Sequence, residues 1–365
     1  RMPEAEEGFQ RLGYLGAYVV NTPDEQKAEQ AREVLESDYL IMPDIELSLP
    51  TPTVAASHLL RRGRQRESWP EESGVDTAHR NGVTGKDVLV GVLDTGVDAD
   101  HIELRRKRIQ FRYVPLDPAP DAMRAVRGFD THGHGTHVCG IIAGRRVGVA
   151  PRVDLMVASV IESETIKTSL ERIYAGLDWM LSQFVIEENR DKPAIVSMSL
   201  GFRAEWIQPP DLQAVMDGIR LLLSILADDF DVLPVVAIGN DGPGTLRGPG
   251  YFPEALSVGA VDFSHNPAWF SGGGASPITG DTEPDVAGYG VEVFSSLERD
   301  LANRSWYARM SGTSMATPYV AGIAALLASA NPGLHGRALR QHILSQALPL
   351  GWPRDRVGAG LARFA

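Results

Sequence analysis

From about residue 85 the chain alternates continuous apolar runs with amphipathic stretches, and this alternation constrains its fold more than any other feature. The runs are DVLVGVLD (87–94), VDLMVASVI (153–161), AIVSMSL (194–200) and VLPVVAIGN (232–240). They are short, rich in β-branched residues and apolar throughout, so each is expected to be a strand covered on both faces. Between them lie the helical patterns HVCGIIAG, ETIKTSLERIYAGLDWMLSQF and DLQAVMDGIRLLLSILA. Strands separated by helices pair in parallel through right-handed crossovers, which predicts an α/β fold with a parallel β-sheet flanked by helices. In such a sheet, residues at the carboxyl ends of strands gather in one crevice. Asp94, Ser199 and Asn240 stand at or near such ends.

The residues ahead of this pattern read differently. GAYVV, the charged stretch DEQKAEQAREVLES and DYLIMPDIELSL suggest strand, helix and strand. They predict a small α+β segment over 1–66, joined by a polar, basic linker to one large domain over 67–365. HLLRRGRQRE (58–67) lacks any periodic pattern and is the expected cut or release point.

The chain has 365 residues and 43% hydrophobic content, ample for one large core. A net charge of −12 argues against nucleic acid and anionic membrane surfaces as partners, with the basic run RRKR (105–108) read as a solvated loop. No stretch approaches the roughly 18 consecutive apolar residues of a membrane span. Cys139 is the single cysteine, which leaves no disulfide framework and no cysteine-based metal site. RMPEAEEGFQ at the start has no signal-peptide pattern. The expectation is a cytoplasmic protein if Met2 is the native start, and a secreted one if a leader has been removed.

Three stretches carry chemistry. Asp94 ends an apolar run in VLDTGVDADH, where a carboxylate can cap a turn, act as an acid or orient a histidine. DTG also matches an aspartic-protease signature, but that site needs a second copy in an all-β setting. A calcium loop starting at Asp94 fails because Ala99 and Arg105 stand where Gly and Glu are required. DTHGHGTHVCG brings His132, His134 and His137 close together; with Asp130 they suggest helix-capping residues or a zinc site. Finally, MSGTSMATPYVAG (310–322) runs into the apolar stretch IAALLASA. A serine at a helix start has free N–H groups and a positive dipole end beside its hydroxyl, and Pro318 is expected within the tolerant first turn. Such a hydroxyl becomes a nucleophile only when a histidine takes its proton and an acid holds that histidine. The order Asp, His, Ser is one of the known triad orders; the α/β-hydrolase order and its Gly-x-Ser-x-Gly elbow are both absent, Ala316 replacing the second glycine.

Taken together, VLDTGVD, HGHGTHVCG, SMSLG (197–201), AIGNDG (237–242), GPGYFPEALSVGAV (248–261) and SGTSMATPYVAG (311–322) make residues 75–348 resemble the subtilisin-like serine proteases. The resemblance implies a serine endopeptidase working through an acyl-enzyme. It makes Ser314 the nucleophile, His134 the general base and then acid, Asp94 its orienter, and Asn240 the side-chain donor of the oxyanion hole. It implies that Ser199, Leu200 and Gly201 pair with substrate backbone and line the pocket before the scissile bond, with Asp241 at its rim. Arg247 falls near the pocket floor, where it either pairs with Asp241 and narrows the pocket or selects a charge; apolar or mixed selectivity is expected. The N-terminal segment then reads as a short prodomain and a possible inhibitor of its own chain. The alternative is a restrained scaffold, or a dedicated maturation protease blocked by that segment. A protein or peptide is the expected substrate.

The chain departs from the family in several places. GRRVGVAP (144–151) runs straight through where many relatives wrap a calcium ion, so no cofactor is expected there, while calcium elsewhere stays open. Tyr319 replaces the usual histidine after the proline, and Ala287-Gly288-Tyr289-Gly290 replaces Ala-Pro-Gly. SETIKT (163–168) lacks the glycines that often let substrate lie beside it.

Overall fold

The computed structural model describes residues 9–48, 69–115, 126–162 and 167–365. The expected release point at 58–67, and with it the 66/67 boundary, lies outside the described residues.

The N-terminal segment holds β1 (Phe9–Leu12), β2 (Ala17–Val20), α1 (Glu25–Leu35) and β3 (Glu46–Ser48). β1 and β2 form an antiparallel hairpin, and β1 was not legible as a strand because FQRL has no apolar run. Asp24 caps α1 by accepting from the Lys27 N–H at 2.8 Å. Of the expected strand DYLIMPDIELSL only its last residues become β3, and β3 pairs with the large domain instead of its own hairpin.

The large domain opens with α2 (Val75–Arg80) and β4 (Leu89–Asp94), then β5 (Ile109–Tyr113), α3 (His134–Ala143) and β6 (Asp154–Ser159). Next come β7 (Lys167–Ser169), α4 (Leu170–Phe184), β8 (Ala194–Met198), α5 (Pro209–Ser224), β9 (Val232–Ala237) and β10 (Leu256–Val261). The chain continues through β11 (Gly274–Ala275), β12 (Thr282–Glu283), β13 (Val286–Tyr289), β14 (Val293–Leu297) and β15 (Trp306–Met310). It closes with α6 (Thr313–Ala330), α7 (Gly336–Gln346) and α8 (Arg354–Val357).

The seven-stranded sheet has the order β13-β10-β9-β8-β4-β6-β5. All its pairings are parallel. The four apolar runs are its centre, β9, β8, β4 and β6, and every residue of β4, β8 and β9 is buried. One core lies on the face covered by α3 and α6, with Val90, Val92, Ile141, Ile142 and Leu326 in it. The other lies under α4 and α5 and holds Leu89, Leu93, Met180, Leu181 and Leu223. Each such aliphatic side chain contributes about 1.5–3 kcal/mol on burial. α6 is long and apolar enough to span a membrane by composition, yet 89% of it is buried inside the protein. It is the central core helix, and its apolar surround is what carries Ser314 into the interior.

The stretch expected to be one helix from Glu164 splits. Lys167–Ser169 is strand, and Ser169 caps α4 by accepting from the Arg172 N–H. A capping serine ahead of LERIYAGLDWMLSQF was the available signal.

Candidate active site

The carboxyl end of β4 delivers Asp94, which is fully buried. Its carboxylate accepts the Thr95 N–H at 2.7 Å and faces His134 Nδ1, with Oδ1 at 2.8 Å and Oδ2 at 3.0 Å. That contact makes Nδ1 the protonated nitrogen and leaves Nε2 as the base.

His134 is the first residue of α3, which begins ahead of the HVCGIIAG pattern. Its placement comes from Asp130, which collects the donors at this helix start. Oδ1 of Asp130 accepts from the Thr95 hydroxyl at 2.7 Å and from the N–H groups of His132 and Gly133 at 3.1 and 2.9 Å. Oδ2 accepts from the N–H and hydroxyl of Thr136, both at 2.6 Å. Gly135 then lets α3 press against the turn after β4, since a Cβ there would lie 2.1 Å from the Gly96 carbonyl oxygen. The brace of Thr95, Asp130 and Thr136 was missed as such in the sequence, although all three flank the motif residues.

The zinc alternative finds no support in this geometry. Asp130 is saturated by donors, His134 Nδ1 is on Asp94, and His137 Nε2 is on the Ala308 carbonyl at 3.1 Å. Among the described residues no group of three His, Cys, Asp or Glu could hold an ion. Burial pushes the His137 pKa down to about 3, so it is a neutral core histidine.

Burial also acts to lower the pKa of His134, but the charge and hydrogen bond of Asp94, with Asp130 behind, outweigh it and leave the value raised. Asp94 thus stabilises the imidazolium form that a proton acceptor must pass through.

Ser314 is the second residue of α6 and is fully buried. Its Oγ and the Nε2 of His134 are both buried without a hydrogen-bond partner among the described residues. Buried polar atoms are nearly always paired, and these two belong to a set of eight buried side-chain nitrogen and oxygen atoms without a hydrogen-bond partner among the described residues.

Pro318 stands beyond the first turn of α6, contrary to expectation, so the Ser314 carbonyl loses its partner four residues on. The Ser199 hydroxyl supplies the missing donor at 3.1 Å. The Ser199 side chain therefore braces the Ser314 backbone. Asn240 follows β9, and its Oδ1 accepts from both the N–H and hydroxyl of Thr313 at 2.8 Å. These two bonds commit the Asn240 oxygen to Thr313.

Leu200 is buried in the core, and Gly201 carries the backbone ladder. That ladder is occupied by the chain itself. The Ser48 N–H donates to the Gly201 carbonyl at 3.0 Å, and the Gly201 N–H to the Ser48 carbonyl at 2.9 Å. On its other side β3 pairs antiparallel with β7, Leu47 opposite Thr168. Residues 46–48 thus form the middle strand of three, with Leu47 buried in the core beneath α4. The edge SETIKT accepts an extended strand at 167–168 without glycines; residues 163–166 are outside the described residues. Further anchors tie the segment to α4: Asp178 accepts the N–H groups of Tyr14 and Leu15 at 2.7 and 3.0 Å, and Asp44 that of Glu171 at 2.9 Å. Asp241 pairs with Arg247 through both carboxylate oxygens, at 2.6 and 3.0 Å.

The departures from the family have local partners. Tyr319 is buried, donates to the Ala362 carbonyl at 2.8 Å, and packs with Tyr289 and Trp69 at ring distances of 5.1 and 5.0 Å.

Comparison with known proteins agrees with this geometry. The Subtilase family model matches residues 85–363. The chain is 48% identical over 382 residues to the subtilisin-like protease PopC of Myxococcus xanthus (strain DK1622), covering 99% of this chain and 78% of that protein. It is 32% identical over 300 residues to an intracellular serine protease of Paenibacillus polymyxa, covering 77% and 80%. Among solved structures it is similar to a cold-adapted subtilisin-like serine proteinase, with a TM-score of 0.56, 28% identity and coverage of 77% and 88%. A family match over nearly the whole large domain, with relatives at this identity and coverage, leads to one conclusion: the chain belongs to the subtilase family and is a subtilisin-like serine endopeptidase that acts on protein or peptide substrates.

Proposed function

We propose that the chain cuts peptide bonds through Asp94, His134 and Ser314, with Asn240 in the oxyanion hole, and that residues 46–48 restrain it. Ser314 Oγ attacks the scissile carbonyl while His134 Nε2 takes its proton. The negative charge on the tetrahedral oxygen is met by the Asn240 amide and the Ser314 N–H, a first-turn donor with no intrahelical acceptor. Collapse breaks the C–N bond, and His134 returns the proton to the leaving amine. Water then repeats the sequence on the acyl-enzyme, releasing the acid and restoring Ser314.

The observation that carries this reading is the Asp94–His134 bond with the unpartnered His134 Nε2 and Ser314 Oγ beyond it. A fluorophosphonate probe tests it. Labelling of the parent chain that disappears in Ser314→Ala is expected; equal labelling or equal turnover in the variant overturns it.

A second reading, a maturation protease or scaffold blocked by its own segment, is favoured by β3 lying between β7 and Gly201. An extended peptide gains affinity from main-chain bonds at such edges, so a tethered segment of the same chain competes with substrate. We also propose that no calcium is held at 144–151. In support, the Glu103 carboxylate beside that turn accepts from the Arg146 N–H at 2.7 Å and the Tyr307 hydroxyl at 2.8 Å.

A further inference from the structure

Arg247 is 7% exposed, an unusual place for a guanidinium, and it lies in a slot walled by two glycines. A Cβ on Gly239 would sit 2.8 Å from Arg247 Cγ, and one on Gly201 would sit 3.1 Å from Arg247 Cβ. The aliphatic stem thus runs along two backbones at a distance that no other residue type would permit. The head is locked as well. Nε and Nη2 donate to the two oxygens of Asp241, Nη1 donates to Ser48 Oγ at 3.1 Å, and the head lies 5.1 Å from the Trp206 ring centroid. Those bonds hold the Asp241 carboxyl below its usual range.

The slot's position gives this arrangement a consequence. Gly201 is the residue on which the extended strand ladders, and Gly239 immediately precedes Asn240, whose amide is held beside Ser314. A peptide running along Gly201 toward Ser314 passes its side chains over the slot. A side chain as large as Phe or Leu enters only by displacing the buried arginine stem and breaking its bidentate pair with Asp241, which is unfavourable. The positive charge is already matched by Asp241, so it is not on offer to an acidic side chain.

We propose that Arg247, locked by Asp241, is the specificity-determining residue of this protease and restricts the position before the cut to small side chains such as Ala, Gly and Ser. The sequence led to an expectation of apolar or mixed selectivity; in the slot between Gly201 and Gly239 the volume is taken by the arginine stem. This rests on the Ser314 chemistry proposed above.

The test uses the full chain and quenched fluorescent peptides that differ only at the residue before the cut: Ala, Leu, Phe, Glu and Lys. The parent is expected to favour Ala over Phe in kcat/KM by at least about tenfold, within the range that a steric pocket contact supplies. Arg247→Gly should raise Phe and Leu about tenfold or more relative to Ala. Arg247→Met, which keeps the slot filled without charge, should keep the small-residue preference. The double variant Arg247→Gly/Asp241→Asn avoids leaving the Asp241 carboxylate without its partner and serves if the single variant does not fold. Equal parent rates on Ala and Phe, or an unchanged ratio in the folded glycine variants, overturn the proposal. So does a parent preference for Glu that Arg247→Met abolishes, since the guanidinium would then be acting as a charge. Ser314→Ala separates the two levels: if it cleaves as the parent does, the site reading itself falls, whereas a dead Ser314→Ala with unshifted ratios removes only the role of Arg247.

Discussion

Thr313 holds the amide oxygen of Asn240 twice, through its backbone N–H and its hydroxyl, each at 2.8 Å. One residue thereby links the end of β9 to the start of α6, and the donor edge of Asn240 is oriented by the neighbour of the nucleophile. An oxyanion donor works only if it is aimed before the charge develops, because reorientation would consume the gain.

The first prediction follows. Asn240→Ala should lower kcat by about 10²–10³, a magnitude taken from the asparagine of subtilisin, with KM little changed. Thr313→Val keeps the N–H bond and loses the hydroxyl one, so its loss should fall well short of that. Steady-state kinetics on one peptide decide both; a KM effect with unchanged kcat in Asn240→Ala would place the residue in substrate binding instead.

The pH profile tests Asp94. His134 acts as a base only when neutral, and its pKa is raised above the ordinary 6.5 by Asp94 despite the opposing effect of burial. The acid limb of kcat/KM should therefore lie above pH 6.5, activity rising with pH through it. Asp94→Asn removes the raising charge, so the limb should move to lower pH while kcat drops by up to about 10⁴. A limb that stays in place in the variant would assign it to another group.

Much of this was legible beforehand, for identifiable reasons. The central strands declare themselves because burial on both faces forces unbroken apolar runs such as VLVGVL. Asp94, His134 and Ser314 stand out as candidates because triad chemistry admits few residue types in few orders, with the family resemblance choosing His134 among three histidines. β5 and the β14–β15 hairpin were not read, since strands such as IQFRY and VFSSL are only partly buried and mix polar with apolar residues. The bond from the Ser199 hydroxyl to the Ser314 carbonyl was not legible, because sequence does not show the carbonyl left open by Pro318. The Asp241–Arg247 alternatives could not be separated either, because pairing depends on a backbone approach at Gly201 and Gly239 that sequence does not display.

Calcium removal should matter little. The Glu103 carboxylate is engaged by Arg146 and Tyr307, and on the proposal that 144–151 holds no calcium, chelation removes no mass-action stabilisation there. EDTA should shift Tm by less than about 10 °C, a displacement that would correspond to several kcal/mol in a domain of this size. A larger drop, restored by added calcium, would contradict the proposal.

Glu283 predicts an alkaline loss of stability. Burial, and next the charge of Asp285, push its pKa up from 4.5 to about 8, and its carboxyl is hydrogen-bonded to Ser257. A raised carboxyl favours the folded state fully below the unfolded value and loses that contribution as pH rises through the folded one. Parent stability should therefore decline between about pH 5 and 8 in the part owed to this group. Glu283→Gln mimics the protonated form, so its stability relative to the parent should improve steadily over that window in chemical denaturation. A constant difference between the two chains from pH 5 to 9 would rule this out.

The last prediction concerns the docked strand. Ser48 both donates to and accepts from Gly201, while Leu47 inserts into the core beneath α4. Proline at position 48 has no N–H, so Ser48→Pro removes one ladder bond directly, and Leu47→Asp sets a carboxylate among apolar side chains; both should undock β3. If residues 46–48 compete with substrate, both variants and a chain starting at Glu67 should cleave peptides faster than the parent, chiefly through a lower KM. An isolated peptide covering 1–66 should then inhibit the shortened chain, and the same peptide carrying Leu47→Asp should do so far less. Lower thermal stability without any gain in activity would make the segment a stabilising extension and nothing more. Equal activity in all chains, with no inhibition by the added peptide, would remove the restraint from the account while leaving the chemistry of Ser314 untouched.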